Sequence, residues 1–335
     1  MSGLGTLLRL NATRDRVRGP IWVLALAALV AYFANVVGAV LETGGLEAMT
    51  GLIKTPTVAL MGGPAYGFEH VTIPRFVVGV YCMYVMIGAA LMSVFTVSRH
   101  TRATEVDGTA EMLRAGAVSR HAQLAAAIIT SVAMNVVLAL LIIPILHLAN
   151  IDPSPDLGPS ALFAASVAAV GLTFTGIGAL TSQLSATTRA TSGIAGAILG
   201  ASFILRGLGD MSRAQEGDLE WLAWLSPLGW AQRTAPFTLD RWWPLALNVG
   251  LGILFLTWAL AIQSRRDLGA GVLGERLGSP QADGWLASPL ALAFRLQRGS
   301  LVAWSAALAI AGVVFGAFTT VSYTHLRAHE TVLDL

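Results

Sequence analysis

HTRATEVDGTAEMLRAGAVSRH, residues 100–121, decides how the rest of the chain is read. It is the one long polar run that lies between two clean hydrophobic spans and also carries a set of helix signals. Thr104 stands where an N-cap would, with Asp107 three residues on at capping-box spacing. Glu105 and Asp107 then fall in the first turn, where the helix dipole favours negative charge. Arg114 falls in the last turn and Gly116 just beyond it, at the position where glycine ends helices. Val106, Ala110 and Leu113 make one weak apolar face at i, i+4, i+7. The pattern predicts a short helix of about 15 Å, at about 1.5 Å per residue, held at a membrane surface and exposed to whatever pushes from outside the bilayer. The plain alternative is a solvated loop with one stray helical turn.

Composition fixes the setting for that helix. Apolar residues make up 55% of the chain and charged residues only 12%, about half the charged share of a soluble domain. An all-α integral membrane protein is the class that fits. The lone cysteine, Cys82, lies inside an apolar span, which excludes an intrachain disulfide or a paired redox motif and reads as a small buried residue. No cleavable signal peptide is visible, because the apolar run after the basic N-terminus is long enough to span.

Outward from the central run, the chain divides into hydrophobic stretches of about 20 residues, the length that crosses about 30 Å of hydrocarbon. Residues 1–19 are basic and amphipathic, with Leu4, Leu7, Leu8, Arg9, Arg14, Arg16 and Arg18, and read as a cytoplasmic elbow lying along the bilayer. Residues 20–264 hold six spans: 21–41, 75–98, 122–148, 160–183, 190–205 and 242–264. Pro20 suits a first helical turn, and Pro144 is expected to kink the third span. Between the first two spans, residues 57–67 are apolar enough to dip into the interface. Residues 206–241 are neither a span nor a simple loop. They carry Arg206, Asp210, Pro227 and the tryptophans Trp221, Trp224 and Trp230, a density that suits headgroup level. This outer region reads as one or two short helices lying at, or re-entering from, the interface. A polar linker, 265–299, leads to a seventh span at 300–321. The tail 322–335, SYTHLRAHETVLDL, resembles a translated sequencing-adaptor read-through, so His325 and His329 are set aside as metal ligands.

Basic residues set the orientation. With the N-terminus inside, the cytoplasmic side collects Arg9 to Arg18, Arg99, Arg102, Arg114, Arg120, Arg189, Arg265, Arg266, Arg276, Arg295 and Arg298. The outside keeps only Lys54, Arg75, Arg206, Arg213, Arg233 and Arg241. That is the positive-inside bias, and it places the 99–121 loop in the cytoplasm.

Chemistry is otherwise sparse. The chain has no P-loop, HExxH or GxSxG. The predicted spans carry almost no ionisable residue; His147, near an outer end, reads as an interfacial polar group. Asn135 reads as a helix–helix hydrogen bond. Gly171, Gly176 and Gly178, like Gly193, Gly196 and Gly200, read as close-packing positions. Spans, a cytoplasmic docking helix and no energy source of its own together imply work delivered by a partner. An ion-coupled multidrug transporter and a membrane-embedded enzyme or assembly protein are the competing classes.

The loop also resembles the cytoplasmic loop of ABC type-2 exporter permeases, in an actinobacterial branch of polyketide-antibiotic (tetronasin-like) exporters. Other stretches agree in order and spacing: LLRL and RDRVR before residue 19, GPAYG at 63–67, LRGLGD at 205–210, WLSPLGWAQ at 224–232, DRWWPL at 240–245, SRRDLGAGVL at 264–273 and SPLALAFRLQRG at 288–299. Val106 replaces an acidic residue of that pattern, and Thr109 stands where a basic one is usual. The resemblance implies a six-span permease half followed by the first span of a second half. It implies a bacterial plasma-membrane exporter of a hydrophobic antibiotic or drug-like compound, with no enzymatic activity or cofactor of its own and no nucleic-acid partner. ATP and magnesium would sit on two copies of a cytoplasmic ATP-binding subunit. That subunit would grip the helix through Thr104, Glu105, Asp107, Gly108, Glu111, Met112, Leu113 and Arg114. The region with Arg206, Asp210, Trp224, Pro227 and Trp230 would cap the exit.

Overall fold

The computed structural model describes residues 3–42, 55–273 (save 65, 68, 117, 150–154 and 268), 281, 284–306, 308, 309 and 312. The chain divides into two compact units, Met1–Glu275 and Arg276–Leu335.

Among its described residues the first unit has helix as its one regular structure, with no strand. It opens with α1 (Leu4–Arg14) and α2 (Arg18–Glu42), followed by a short α3 (Pro56–Met61). Next come α4 (Ile73–Val106), α5 (Thr109–Ala115), α6 (Ala122–Leu148), α7 (Leu157–Leu184) and α8 (Thr188–Ala214). A 3-10 turn at Glu220–Leu225 leads into α9 (Pro227–Gln232), and α10 (Pro244–Arg265) closes the set. Six of these helices, α2, α4, α6, α7, α8 and α10, are long and apolar enough to cross a membrane. The six predicted spans are therefore present. Their ends differ most at α4, which runs on to Val106, and at α8, which runs on to Ala214. α4 also contains two π-helical turns, Val77–Tyr81 and Arg99–Ala103. α6 continues through Pro144 to Leu148.

The middle of the unit is α7, which packs against α4, α6 and α10. Small residues make that position tenable. A Cβ on Gly171 would stand 1.8 Å from Asn135 Oδ1, and one on Gly176 would stand 2.7 Å from the Gly252 carbonyl oxygen. Gly176 therefore lets the α10 backbone approach α7 closely, and Gly171 leaves room for the Asn135 side chain of α6. Polar side chains then join the helices where no water competes. Asn135 Nδ2 donates to Ser93 Oγ at 2.8 Å, Ser131 and Thr175 hydroxyls meet at 2.7 Å, and Thr173 Oγ1 donates to Asn248 Oδ1 at 3.0 Å. The predicted role of Asn135 holds. The second glycine series does not pack in this unit: a Cβ on Gly193, Gly196 or Gly200 meets nothing within 4 Å. His147 is exposed in the last turn of α6.

In the second unit a 3-10 turn at Gly284–Ala287 precedes residues 289–306, which are helical. The expected linker thus becomes helix about ten residues early, from 289 rather than 300. Most of the expected seventh span and all of the 322–335 tail, with His325 and His329, lie outside the described residues.

Candidate functional site

Two polar assemblies stand at opposite ends of the first unit. The first gathers α1, the end of α4, the start of α6, the end of α7 and the segment after α10. α4 does not stop at Thr104, as the capping pattern predicts. The helix continues because the Thr104 hydroxyl donates to the Thr101 carbonyl at 2.7 Å and itself accepts from Gln123 Nε2. Thr104 is buried and is not an N-cap. The chain turns instead at Asp107–Gly108, where Gly108 has φ +77°, a left-handed conformation that glycine adopts without a Cβ penalty. α5 then covers seven residues. Asp107 sits just before it as an Asx-type cap, its Oδ1 accepting from the Thr109 amide at 3.1 Å. Hydrogen bonds from Thr109 hold the Asp107 carboxyl below its ordinary value.

Glu105 is drawn inward. Its Oε2 accepts from Arg102 Nη1 at 2.7 Å and its Oε1 from Arg266 Nη2 at 2.5 Å. All three side chains are at most 5% exposed. Carbonyls satisfy much of the remaining guanidinium surface: Arg102 Nη2 donates to Ser182 O at 2.6 Å, and Arg266 Nη1 donates to Ala270 O at 2.5 Å. Arg120 Nη2 donates to Arg266 O at 2.5 Å. The segment after α10 is thereby tied along α7, where the Val272 and Leu273 amides donate to Gln183 O and Leu184 O. Charge pairing at this depth needs such saturation, because an unpaired ion there is costly.

The elbow is tied in the same way. Asp15 Oδ1 meets Arg99 Nη1 at 2.8 Å, and Asp15 Oδ2 meets His100 Nε2 at 2.5 Å. Burial alone would push the Asp15 carboxyl up; the His100 hydrogen bond and the charges of His100 and Arg99 outweigh it and hold it down. Leu7 packs with Ala122 and Ala126, and Leu113 and Val118 pack against the same cluster. Leu113 therefore faces the chain's own elbow. What α5 and its turn leave outside are Val106 (63% exposed), Met112 (72% exposed), Asp107 and Glu111. The predicted docking set divides: Thr104, Glu105 and Leu113 hold the loop, Gly108 turns it, and Asp107, Glu111 and Met112 face outward, joined by Val106, which lies outside that set; the Arg114 side chain lies outside the described residues.

The second assembly lies at the other end, where reading the spans as nearly free of charge needs correction. Arg206 and Asp210 lie on α8 itself and are fully buried. Arg206 Nη2 donates to Leu60 O at 2.8 Å, and its Nη1 donates to Ala59 O at 3.3 Å, so it caps the C-terminal carbonyls of α3. Asp210 stands 3.5 Å from both Arg206 Nη1 and Arg233 Nη2. The Arg233 guanidinium lies over the Trp224 ring, 5.1 Å from its centroid, and Trp224 stacks on Trp243. Ser226 caps α9, accepting from the Gly229 amide, with Pro227 in the first turn. Its hydroxyl also donates to Ser202 O at 2.7 Å, and Trp230 Nε1 donates to Trp224 O at 2.5 Å. The Trp224–Gln232 stretch is thus a folded cap fastened to α8.

The sequence reading missed Arg102, Arg266, Asp15 and Arg233. The i, i+3 spacing of Arg102 and Glu105 is a visible ion-pair signal; the long-range partners leave none.

Comparison with known proteins adds the following. Residues 9–235 match the family described as ABC-2 type transporter. Residues 286–334 match the C-terminal domain of multidrug efflux system permease Rv1217c, a match that runs into the tail segment. The multidrug efflux system permease protein Rv1217c of Mycobacterium tuberculosis (strain ATCC 25618 / H37Rv) is 34% identical over 313 residues, covering 92% of this chain and 55% of that protein. The chain spans about half the length of this curated relative.

Proposed function

Since the chain belongs to the ABC-2 type transporter family, as the match over residues 9–235 shows, we propose that it is the permease of an ATP-driven exporter that moves a hydrophobic, drug-like compound out across a bacterial plasma membrane. Support for the cargo class comes from the 34% identity to a multidrug efflux permease. The chain is an ABC-2 permease, the membrane component of a transporter that works with an ATP-binding subunit. In this proposal one of two such subunits docks at the α5 turn and the other at the equivalent helix of a second permease half, and the N-terminus faces the cytoplasm.

The observation that carries the reading is the division of the 99–121 loop. A buried clamp of Arg102, Glu105 and Arg266 fixes its root to α7 and α10, and an exposed patch of Val106, Asp107, Glu111 and Met112 stands on it. A push on the patch then passes into two spans as a rigid movement rather than dissipating in a soft loop. The open side of α8 at Gly193, Gly196 and Gly200 suits a wall facing a second permease half across the pathway. The capped end at Arg206, Asp210, Trp224, Pro227 and Trp230 would close the exit.

Asp210, buried on a span, is the feature that favours the ion-coupled alternative. Its two arginine neighbours already offset its charge. One assay separates the readings. Inside-out vesicles holding the exporter together with its ATP-binding subunit should concentrate a hydrophobic dye when given ATP and magnesium, with the proton gradient collapsed. Uptake that needs a proton gradient and ignores ATP would overturn the proposal.

A further inference from the structure

The elbow does not close fully on α6. Between α1, the start of α2 and α6 runs a groove of about 550 Å³, within the range of about 300–1,000 Å³ typical of small-ligand sites. Its walls are apolar, formed by Val23, Leu24, Ile129, Ala133, Val137 and Leu141, and Asp15 and Arg16 stand at its mouth. Leu24, Ile129 and Val137 are exposed on helices that qualify as membrane spans. In that setting the solvent of the groove is lipid rather than water.

The charges at the mouth select among occupants. Asp15 is already engaged by Arg99 at 2.8 Å and His100 at 2.5 Å, which leaves no free carboxylate for a cationic ligand. Arg16, the other charged residue of the lining, is exposed and forms no ion pair among the described residues. The groove therefore has an apolar bed and one unpaired cation, Arg16, at its edge. A protein helix about 10 Å across would exhaust the space in little more than one turn. A single acyl chain needs only a narrow apolar channel with an anion site at its end.

We propose that this groove is a binding site for an anionic phospholipid, with one acyl chain lying between α2 and α6 and the headgroup phosphate on Arg16. The site joins the elbow to the third span, so an occupied groove completes the packing that Asn11 begins by donating to Thr130 Oγ1 at 3.3 Å. This inference needs the six-span reading but neither the ATP-binding partner nor the cargo.

The test uses the full chain in nanodiscs carrying a photoreactive acyl-chain probe on either phosphatidylglycerol or phosphatidylcholine. Phosphatidylglycerol should label the peptides around Val23–Leu24 and Ile129–Val137 about fivefold more strongly, the ratio that one arginine near an anionic surface supplies. Arg16→Glu should level the two lipids. Ala133→Phe, a filling change at an exposed groove position, should cut the phosphatidylglycerol labelling. Equal labelling by both lipids in the unaltered protein would overturn the proposal and decides it even if a variant fails to fold. Undiminished labelling in a monodisperse Ala133→Phe protein would also overturn it. Loss of labelling when a hydrophobic cationic dye is added would reassign the groove to cargo, and loss on pairing with another membrane helix would reassign it to a protein contact.

Discussion

Glu105→Ala is the substitution for which the structure gives the sharpest expectation. The carboxylate bridges Arg102 at 2.7 Å and Arg266 at 2.5 Å, and none of the three side chains is more than 5% exposed. Removing one partner of a buried ion pair costs about 3–5 kcal/mol, because the charge left behind has lost both water and counterion. Here two guanidiniums are left. They keep the carbonyls of Ser182 and Ala270 as acceptors, which sets the cost near the lower end, about 3 kcal/mol. The loss falls on one local unit, the segment after α10 whose Val272 and Leu273 amides donate to Gln183 and Leu184. Lowering its opening free energy by about 3 kcal/mol raises exchange of those amides by about two powers of ten. Hydrogen-exchange mass spectrometry of the peptide across residues 269–273, in nanodiscs, reads this directly. Glu105→Gln keeps an acceptor and the shape, so its effect should be markedly smaller. Exchange in Glu105→Ala within about threefold of the unaltered protein, less than about 1 kcal/mol, would refute the clamp as the element that fixes the loop.

Other outcomes follow from the same contacts. Asp210→Ala leaves Arg206 and Arg233 facing each other without their shared carboxylate and should destabilise the Trp224–Gln232 cap by about 3–5 kcal/mol, seen as faster limited proteolysis between residues 214 and 241. Gly171→Val drives a side chain into Asn135, whose Oδ1 would lie 1.8 Å from the new Cβ, and should cost about 1–3 kcal/mol or more in resistance to detergent unfolding. Gly108→Val forces a left-handed φ of +77° on a branched residue and should cost about 1–2 kcal/mol, with α5 fraying first in exchange measurements. The Asp15 carboxyl is held below its ordinary value near 3.8. Its contribution is therefore complete above that value and is lost only as pH falls through the lower folded one. A spin-label distance from α1 to α6 should stay constant from pH 8 to pH 5 and lengthen in Asp15→Asn at every pH.

The sequence discloses the fold in proportion to how local its signals are. Six spans are legible because about 20 apolar residues in a row have few other uses. Asn135 and Gly171 are legible as contact positions because a polar or minimal residue inside a span needs a neighbour to explain it. The ends of spans are less so. Residues 206–214 look like the start of a loop because Arg206, Asp210 and Arg213 are charged. α8 keeps its helix there because the Ala59 and Leu60 carbonyls and Arg233 receive two of those charges from far along the chain. Thr104 shows the converse. Its capping-box spacing is real, but a hydroxyl can serve the carbonyl three residues back as readily as the amides ahead, and the Thr101 carbonyl wins. Glu105 reads as a surface acid because Arg266 lies 161 positions away. Which residues of the 99–121 loop face outward is settled by such tertiary pairing, which the sequence does not display.

The account stands or falls on what touches the exposed side of α5. Cys82 is the sole cysteine and is buried, so Met112→Cys places one reactive thiol on the patch. A short bifunctional crosslinker applied from the cytoplasmic side of native membranes should join that thiol to a polypeptide that hydrolyses ATP, with ATP and magnesium changing the yield. A thiol labelled only by an impermeant reagent from outside the cell, or crosslinked to no ATP-hydrolysing subunit, would contradict the account.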